Sequence, residues 1–164
     1  MKDMSRWPIV LLMAAVLGSV HQGSARPVDP SIAQSEIRET LAQFLLAFDN
    51  LDWPAFRNCF AADATMFHPS PPNVKRIDSP EEFEKAWLGV FARIKKTSGR
   101  SAPPYMNLQP QDVKIQLLSN EIALVTFHLM DAHVLSRRTI VFRRDAGGWK
   151  IVHLHASNLT LAAP

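Results

Sequence analysis

Cysteine is nearly absent from this chain: Cys59 is the only one in 164 residues. No internal disulfide can form, so an oxidising compartment is tolerated rather than exploited. Cys59 follows Trp53 and Phe56 and precedes Phe60, an apolar setting that suits an inert core thiol better than a nucleophile. A dense Lys/Arg stripe is also missing. Arg137-Arg138 and Arg143-Arg144 read as solvated pairs flanking strand ends, and Lys95-Lys96 as a helix end, so nucleic-acid binding is not expected. There is no internal repeat. The N-terminal apolar run, Pro8 to Val20, is short for a bilayer span.

That run has another explanation. Lys2 and Arg6 give a positive start, and Gly23-Ser24-Ala25 supplies small residues for cleavage, the pattern of a secretory signal peptide cut after Ala25. Residues 1–25 are then the leader and 26–164 a single domain, secreted or periplasmic, with no membrane partner once cleaved. Cleavage removes Lys2, Arg6 and Asp3, and the formal charge falls from +3 to a nearly neutral +2.

After Pro27 and Pro30, Ser31 can cap a helix with apolar positions Ile37, Leu41, Phe44, Leu45 and Phe48, spacings that make one stripe. Asp52 can cap a short second helix with Pro54 in its first turn. Ala64 to His68 is a candidate strand closed by Pro69, Pro71 and Pro72. Ser79-Pro80-Glu81-Glu82 opens a third helix carrying Phe83, Trp87, Val90/Phe91 and Ile94, which stops at Gly99.

From Asp112 onward the pattern is all strand: Asp112–Leu118, Glu121–Met130, His133–Arg144, and a return strand entered through a turn at Asp145 to Gly148. In the return strand, strict alternation sets Trp149, Ile151, His153, His155 and Ser157 on one face and Lys150, Val152, Leu154 and Ala156 on the other. Both faces are partly apolar, so both are expected to be covered, one by the same chain and one by a second copy. Helices first and an antiparallel meander second is an α+β order, with helices packed on one face of the sheet.

This order, with Phe60-Ala61-Ala62-Asp63-Ala64-Thr65 after two helices and Trp149 to Ser157 at the end, resembles the nuclear transport factor 2-like superfamily, most nearly its SnoaL-like branch. The resemblance covers Ser31 to Leu159. It implies a curved antiparallel sheet wrapped by three helices into a cone, a cavity inside, and homodimers through the outer sheet face. In the third strand Ile122, Leu124, Thr126, His128 and Met130 are assigned to the cavity side. By likeness to the calcium/calmodulin-dependent kinase association domain, Ala156, Leu154, Val152 and Thr139 line the interior. That domain's cavity arginines match Thr126, Thr139 and Ala156 here, so an anion site of that kind is not implied.

His68-Pro69 stands where the related ketosteroid isomerase has an Asp-Pro general base, and an imidazole can serve that role near neutral pH. The isomerase's phenol and protonated acid match Phe44 and Thr139 or Ile140, which cannot stabilise an oxyanion, so steroid isomerisation is not expected. His128, mid-strand, is the second candidate acid or base. The simpler reading of either histidine is one satisfied by a neighbouring group. His153 and His155 leave their strand on one side about 7 Å apart, but without further ligands no metal is expected. Trp53, Phe83, Trp87 and Tyr105 are core residues first, some of which would line a mouth for a mainly apolar small molecule.

The leading expectation is an exported, dimeric binder of a small, largely apolar molecule. Its cavity would be lined by Trp53, Phe83, Trp87, Tyr105, Thr126, Thr139, Leu154 and Ala156. One alternative is a cofactor-free isomerase, cyclase or hydratase with His68 or His128 as general base. Another is an interaction module with a filled cavity that works through its sheet face.

Overall fold

In the computed structural model, which describes residues 29–69, 75–131 and 133–161, the first helix is capped by Asp29 rather than Ser31. Asp29 Oδ1 accepts from the Ser31 backbone N–H (2.8 Å) and hydroxyl (2.7 Å), and Pro30, which has no N–H to satisfy, opens the helix. This helix, α1 (Pro30–Asn50), buries Ile37, Leu41, Phe44 and Leu45 on one stripe. Asp52 caps α2 (Trp53–Asn58) by accepting from the Ala55 N–H at 3.1 Å. Ser79 caps α3 (Pro80–Thr97) through the Glu82 N–H at 3.1 Å, with Glu81 and Glu82 in the first turn and Lys95 and Lys96 in the last, each charge opposing the nearby end of the helix dipole. The signal peptide expected at residues 1–25 lies outside the described residues.

The strands are β1 (Phe60–Phe67), β2 (Gln111–Leu117), β3 (Ile122–Met130), β4 (Val134–Asp145) and β5 (Gly148–Thr160). They form one five-stranded sheet in the order β1-β5-β4-β3-β2, and the first and last strands do not pair to close it. β2 to β5 are the expected antiparallel meander. β1 starts at Phe60, before the stretch read as a strand, and joins parallel to β5, so the sheet is mixed. The fold is α+β, with three helices packed against the sheet as in a nuclear transport factor 2-like cone.

Which face looks inward differs from the sequence reading on β3 and β5, and at Thr139 of β4, which pairs with outward Thr126. On β3 the residues against the helices are Ala123, Val125 and Phe127, all buried, so Thr126 and His128 lie on the outer face. The physical reason is plain: the set without a hydroxyl or an imidazole takes the fully dehydrated side. On β5 a bulge breaks the alternation, since Val141 pairs with His153 while Phe142 pairs with Ile151, leaving Val152 as the extra residue. Trp149 and Ile151 are therefore buried on the same side as Leu154 and Ala156, while His155 is exposed on the other.

Rings fill the space between the layers. Phe56 is fully buried, with centroids 4.5 Å from Trp87, 5.1 Å from Phe60, 5.2 Å from Phe91 and 5.3 Å from Phe44. Polar ties pin the hairpin end to α1: Glu36 accepts from Trp149 Nε1 at 3.0 Å and pairs with Arg144 at 3.1 Å.

Candidate functional site

Phe127 on β3, Arg138 on β4 and Ala156 on β5 stand side by side across the sheet, in register, on the side facing the helices. The next inward row is Leu129, Ser136 and Asn158. In front of these rows the helices leave a cavity of about 150 Å3. Phe44, Leu45 and Phe48 of α1 and Trp87 and Val90 of α3 form its far wall, and Met66, Leu154 and Ala156 its floor. His68 and Pro69, just past the end of β1, and Arg93 of α3 complete the lining.

The polar part of this wall consists of His68, Arg93, Arg138 and Asn158, with no Asp or Glu among the described lining residues. Arg138 is partly buried; its Nη1 donates to the Arg137 carbonyl at 3.0 Å and, at a long 3.5 Å, to Asn158 Oδ1. No carboxylate among the described residues pairs with it. Burial pulls the guanidinium down to about 10, which leaves it charged at neutral pH. The Trp87 indole N–H is buried with no acceptor among the described residues, a state that costs about 1–3 kcal/mol. His68 stands edge-on to Trp87, with ring centroids 6.3 Å apart. The cavity is thus apolar in bulk and rich in donors.

Four of the residues singled out in the sequence meet here: His68, Trp87, Leu154 and Ala156. Thr126, Thr139 and His128 do not, because they occupy the outer face. Thr126 pairs with Thr139 and Thr139 with exposed His155 in one outer row, and His128 Nδ1 lies 4.0 Å from Asp112 at the surface. Val152, the bulge residue, is outside the lining as well. Phe83 is a core residue, 4.9 Å from Phe60 by ring centroids, and Trp53 and Tyr105 line a separate shallow depression beside α3. His68 and His128 therefore lie on opposite sides of the sheet.

Arg138 was missed, although the sequence carried a signal for it. Two adjacent arginines inside a strand must point to opposite faces, so one of Arg137-Arg138 had to enter the side covered by helices. The strand read from His133 starts within a residue of β4 at Val134, so the pair's place inside the strand was itself legible.

Elsewhere, His153 Nδ1 and Thr65 Oγ1 share a 2.8 Å hydrogen bond on the outer face. Burial holds the His153 imidazole below its ordinary value, and the His155 and Arg76 charges push the same way. Among the described residues no three His, Cys, Asp or Glu side chains gather as a metal site would require. Buried Cys59 donates to the Ala55 carbonyl at 3.4 Å, and burial pushes its thiol up, against a smaller opposing pull from Lys150. A thiol in that state is a poor nucleophile.

Residues 37–162 match the family model described as the SnoaL-like domain. No curated protein matches the sequence. Solved structures with the same fold include a nuclear transport factor 2-like protein of unknown function from Pseudomonas putida KT2440, 18% identical, with a TM-score of 0.65 over 82% of this chain and 98% of that one. A candidate dehydratase of the nuclear transport factor 2-like family from Streptomyces avermitilis is 21% identical, with a TM-score of 0.65 over 82% of this chain and 100% of that one. A candidate ketosteroid isomerase from Shewanella frigidimarina NCIMB 400 is 21% identical, with a TM-score of 0.59 over 76% and 97%. With one family model running from α1 through β5, the chain belongs to the SnoaL-like domain family, and its helix-backed sheet has the fold of these nuclear transport factor 2-like structures.

Proposed function

We propose that the mature chain is an exported protein that binds a small molecule in its interior cavity and works as a homodimer. The carrying observation is the cavity of about 150 Å3 between sheet and helices, walled mainly by apolar and aromatic side chains with a few polar groups on one part of its lining. That composition is the usual one for ligand pockets, in which apolar walls supply binding energy and a few polar atoms fix orientation. Its volume lies below the range of about 300–1,000 Å3 common for drug-sized ligands and near the about 150 Å3 of an apolar cavity that accepts benzene, so the ligand is small. A cavity left open in this way disfavours the interaction module with a filled core. Export follows from the leader read at residues 1–25, and an intact mass beginning at Arg26 for protein recovered from the periplasm or medium checks it.

Native mass spectrometry of the purified mature protein tests the binding reading. The expected result is a retained small molecule, lost in Ala156→Phe, whose ring would occupy the cavity. A parent protein that retains nothing and shows no saturable binding of small apolar molecules would remove this reading.

One observation favours a second reading, in which the protein is an isomerase, cyclase or hydratase. His68 borders the cavity, and imidazole is suited to proton transfer near neutral pH. His68 would act without His128, which is on the far side of the sheet. Turnover of the retained ligand by the parent and its loss in His68→Ala would establish catalysis; binding without turnover leaves a binder.

A further inference from the structure

We propose that the ligand is a small monocarboxylate with an apolar body, its carboxylate gripped by the guanidinium of Arg138. This rests on the reading of the cavity as a ligand site and narrows the class of ligand that the site takes.

The argument begins with charge. Arg138 is a cation on the inward row of the sheet, between Phe127 and Ala156, and the described wall around it contains no Asp or Glu. Arg138 is partly buried, and a charge drawn part-way out of water gains from an anionic partner. Here the two acceptors on Nη1, the Arg137 carbonyl and Asn158 Oδ1, are both uncharged. Nε and Nη2 make no hydrogen bond to the described residues. Those two nitrogens form one edge of the guanidinium fork, the edge that a carboxylate matches with two parallel hydrogen bonds. The lowered affinity of Arg138 for its proton has burial as its cause, with no compensating anion.

Size and stoichiometry of charge decide which anion. One guanidinium inside the cavity is neutralised by one negative charge, while the second arginine, Arg93, is exposed and keeps its own hydration. A carboxylate leaves the interior neutral; a phosphate dianion would bring an extra charge into a space walled by Phe48, Trp87, Phe127 and Leu154. Those four side chains form an apolar, largely aromatic slot, and a cavity of this volume takes roughly a single ring or a short branched chain. An aryl or short alkyl carboxylate satisfies both parts of the wall at once.

Titration calorimetry on the full mature protein tests this with three probes: benzoate, its uncharged isostere benzamide, and inorganic phosphate. Benzoate should bind one per chain, with benzamide about ten- to a hundredfold weaker, the factor expected for losing charge-assisted hydrogen bonds. Phosphate should neither bind nor displace benzoate. Arg138→Gln should lose that same factor for benzoate and leave benzamide unchanged, and Arg138→Lys, which keeps the charge without the fork, should fall between. If the substitutions prevent folding, the benzoate–benzamide ratio in the parent decides alone. Equal affinity for benzoate and benzamide overturns the carboxylate inference and leaves the ligand cavity standing. Arg138-dependent binding of phosphate in preference to benzoate overturns it in favour of an inorganic anion. Failure of every probe in the parent, with no benefit from adding apolar molecules of the same size, removes the cavity reading itself.

Discussion

Arg138 and His153 are residues whose neighbours, not whose types, give them a role. Adjacent side chains in a strand part to opposite faces, so Arg137 reaches the outer side, where its Nε donates to Ser157 Oγ at 3.2 Å, and Arg138 turns inward. His153, on the outer side, is held below its ordinary value of 6.5, first by burial and then by the charges of His155 and Arg76. Its proton therefore binds the unfolded chain more readily than the folded one. The stability contributed by keeping it neutral is complete above about pH 6.5 and is lost as pH falls through the lower, folded value. Urea unfolding at about pH 7.5 and about pH 5 should show a smaller acid loss for His153→Asn than for the parent. An equal loss in both would assign the pH dependence to other groups. Neither the face of His153 nor its bond to Thr65 was legible, because that contact depends on a parallel pairing between distant segments.

At the scale of elements, local chemistry decides boundaries and contacts decide partners. Asp52 and Ser79 cap the helices they were expected to cap, because a side-chain oxygen two or three residues ahead of free N–H groups bonds them in almost any surroundings. Ser79→Ala should cost about 1 kcal/mol of stability, read as a lowered urea midpoint with an unchanged slope. An unchanged midpoint would mean that water replaces the cap without loss. Asp29 displaced Ser31 as the first cap by the same rule, since it precedes Pro30 and binds Ser31 itself. The strands were legible as strands, with two exceptions in detail. The β5 bulge at Val152 inverts the faces of Trp149 and Ile151, and strict alternation cannot reveal an extra residue that only the partner strand defines. In β3 both parities are largely apolar, so periodicity could not choose between them.

For the molecule as a whole, the sheet's outer face is the surface against which a second copy would pack. It carries half-buried Leu124, Val141 and Ile122 and exposed Phe67, Met130 and Leu159, an apolar surface among threonines and histidines. Light scattering at micromolar concentration should give twice the chain mass for the mature protein and a single chain mass for Leu124→Arg, with ligand binding in the cavity unchanged. A monomeric parent would contradict the dimer. The sequence by itself determined the order of elements, the α+β class, the helix caps and the presence of His68, Trp87, Leu154 and Ala156 in chemically suggestive places, because these follow from periodicity, turn chemistry and family motifs carried by neighbours in the chain. Only the tertiary structure decided which side of each strand is dry, and with it that Arg138 is inside and that Thr126, His128 and Thr139 are outside. A strand has two faces of nearly equal claim until helices cover one of them, and what covers it comes from the far end of the sequence.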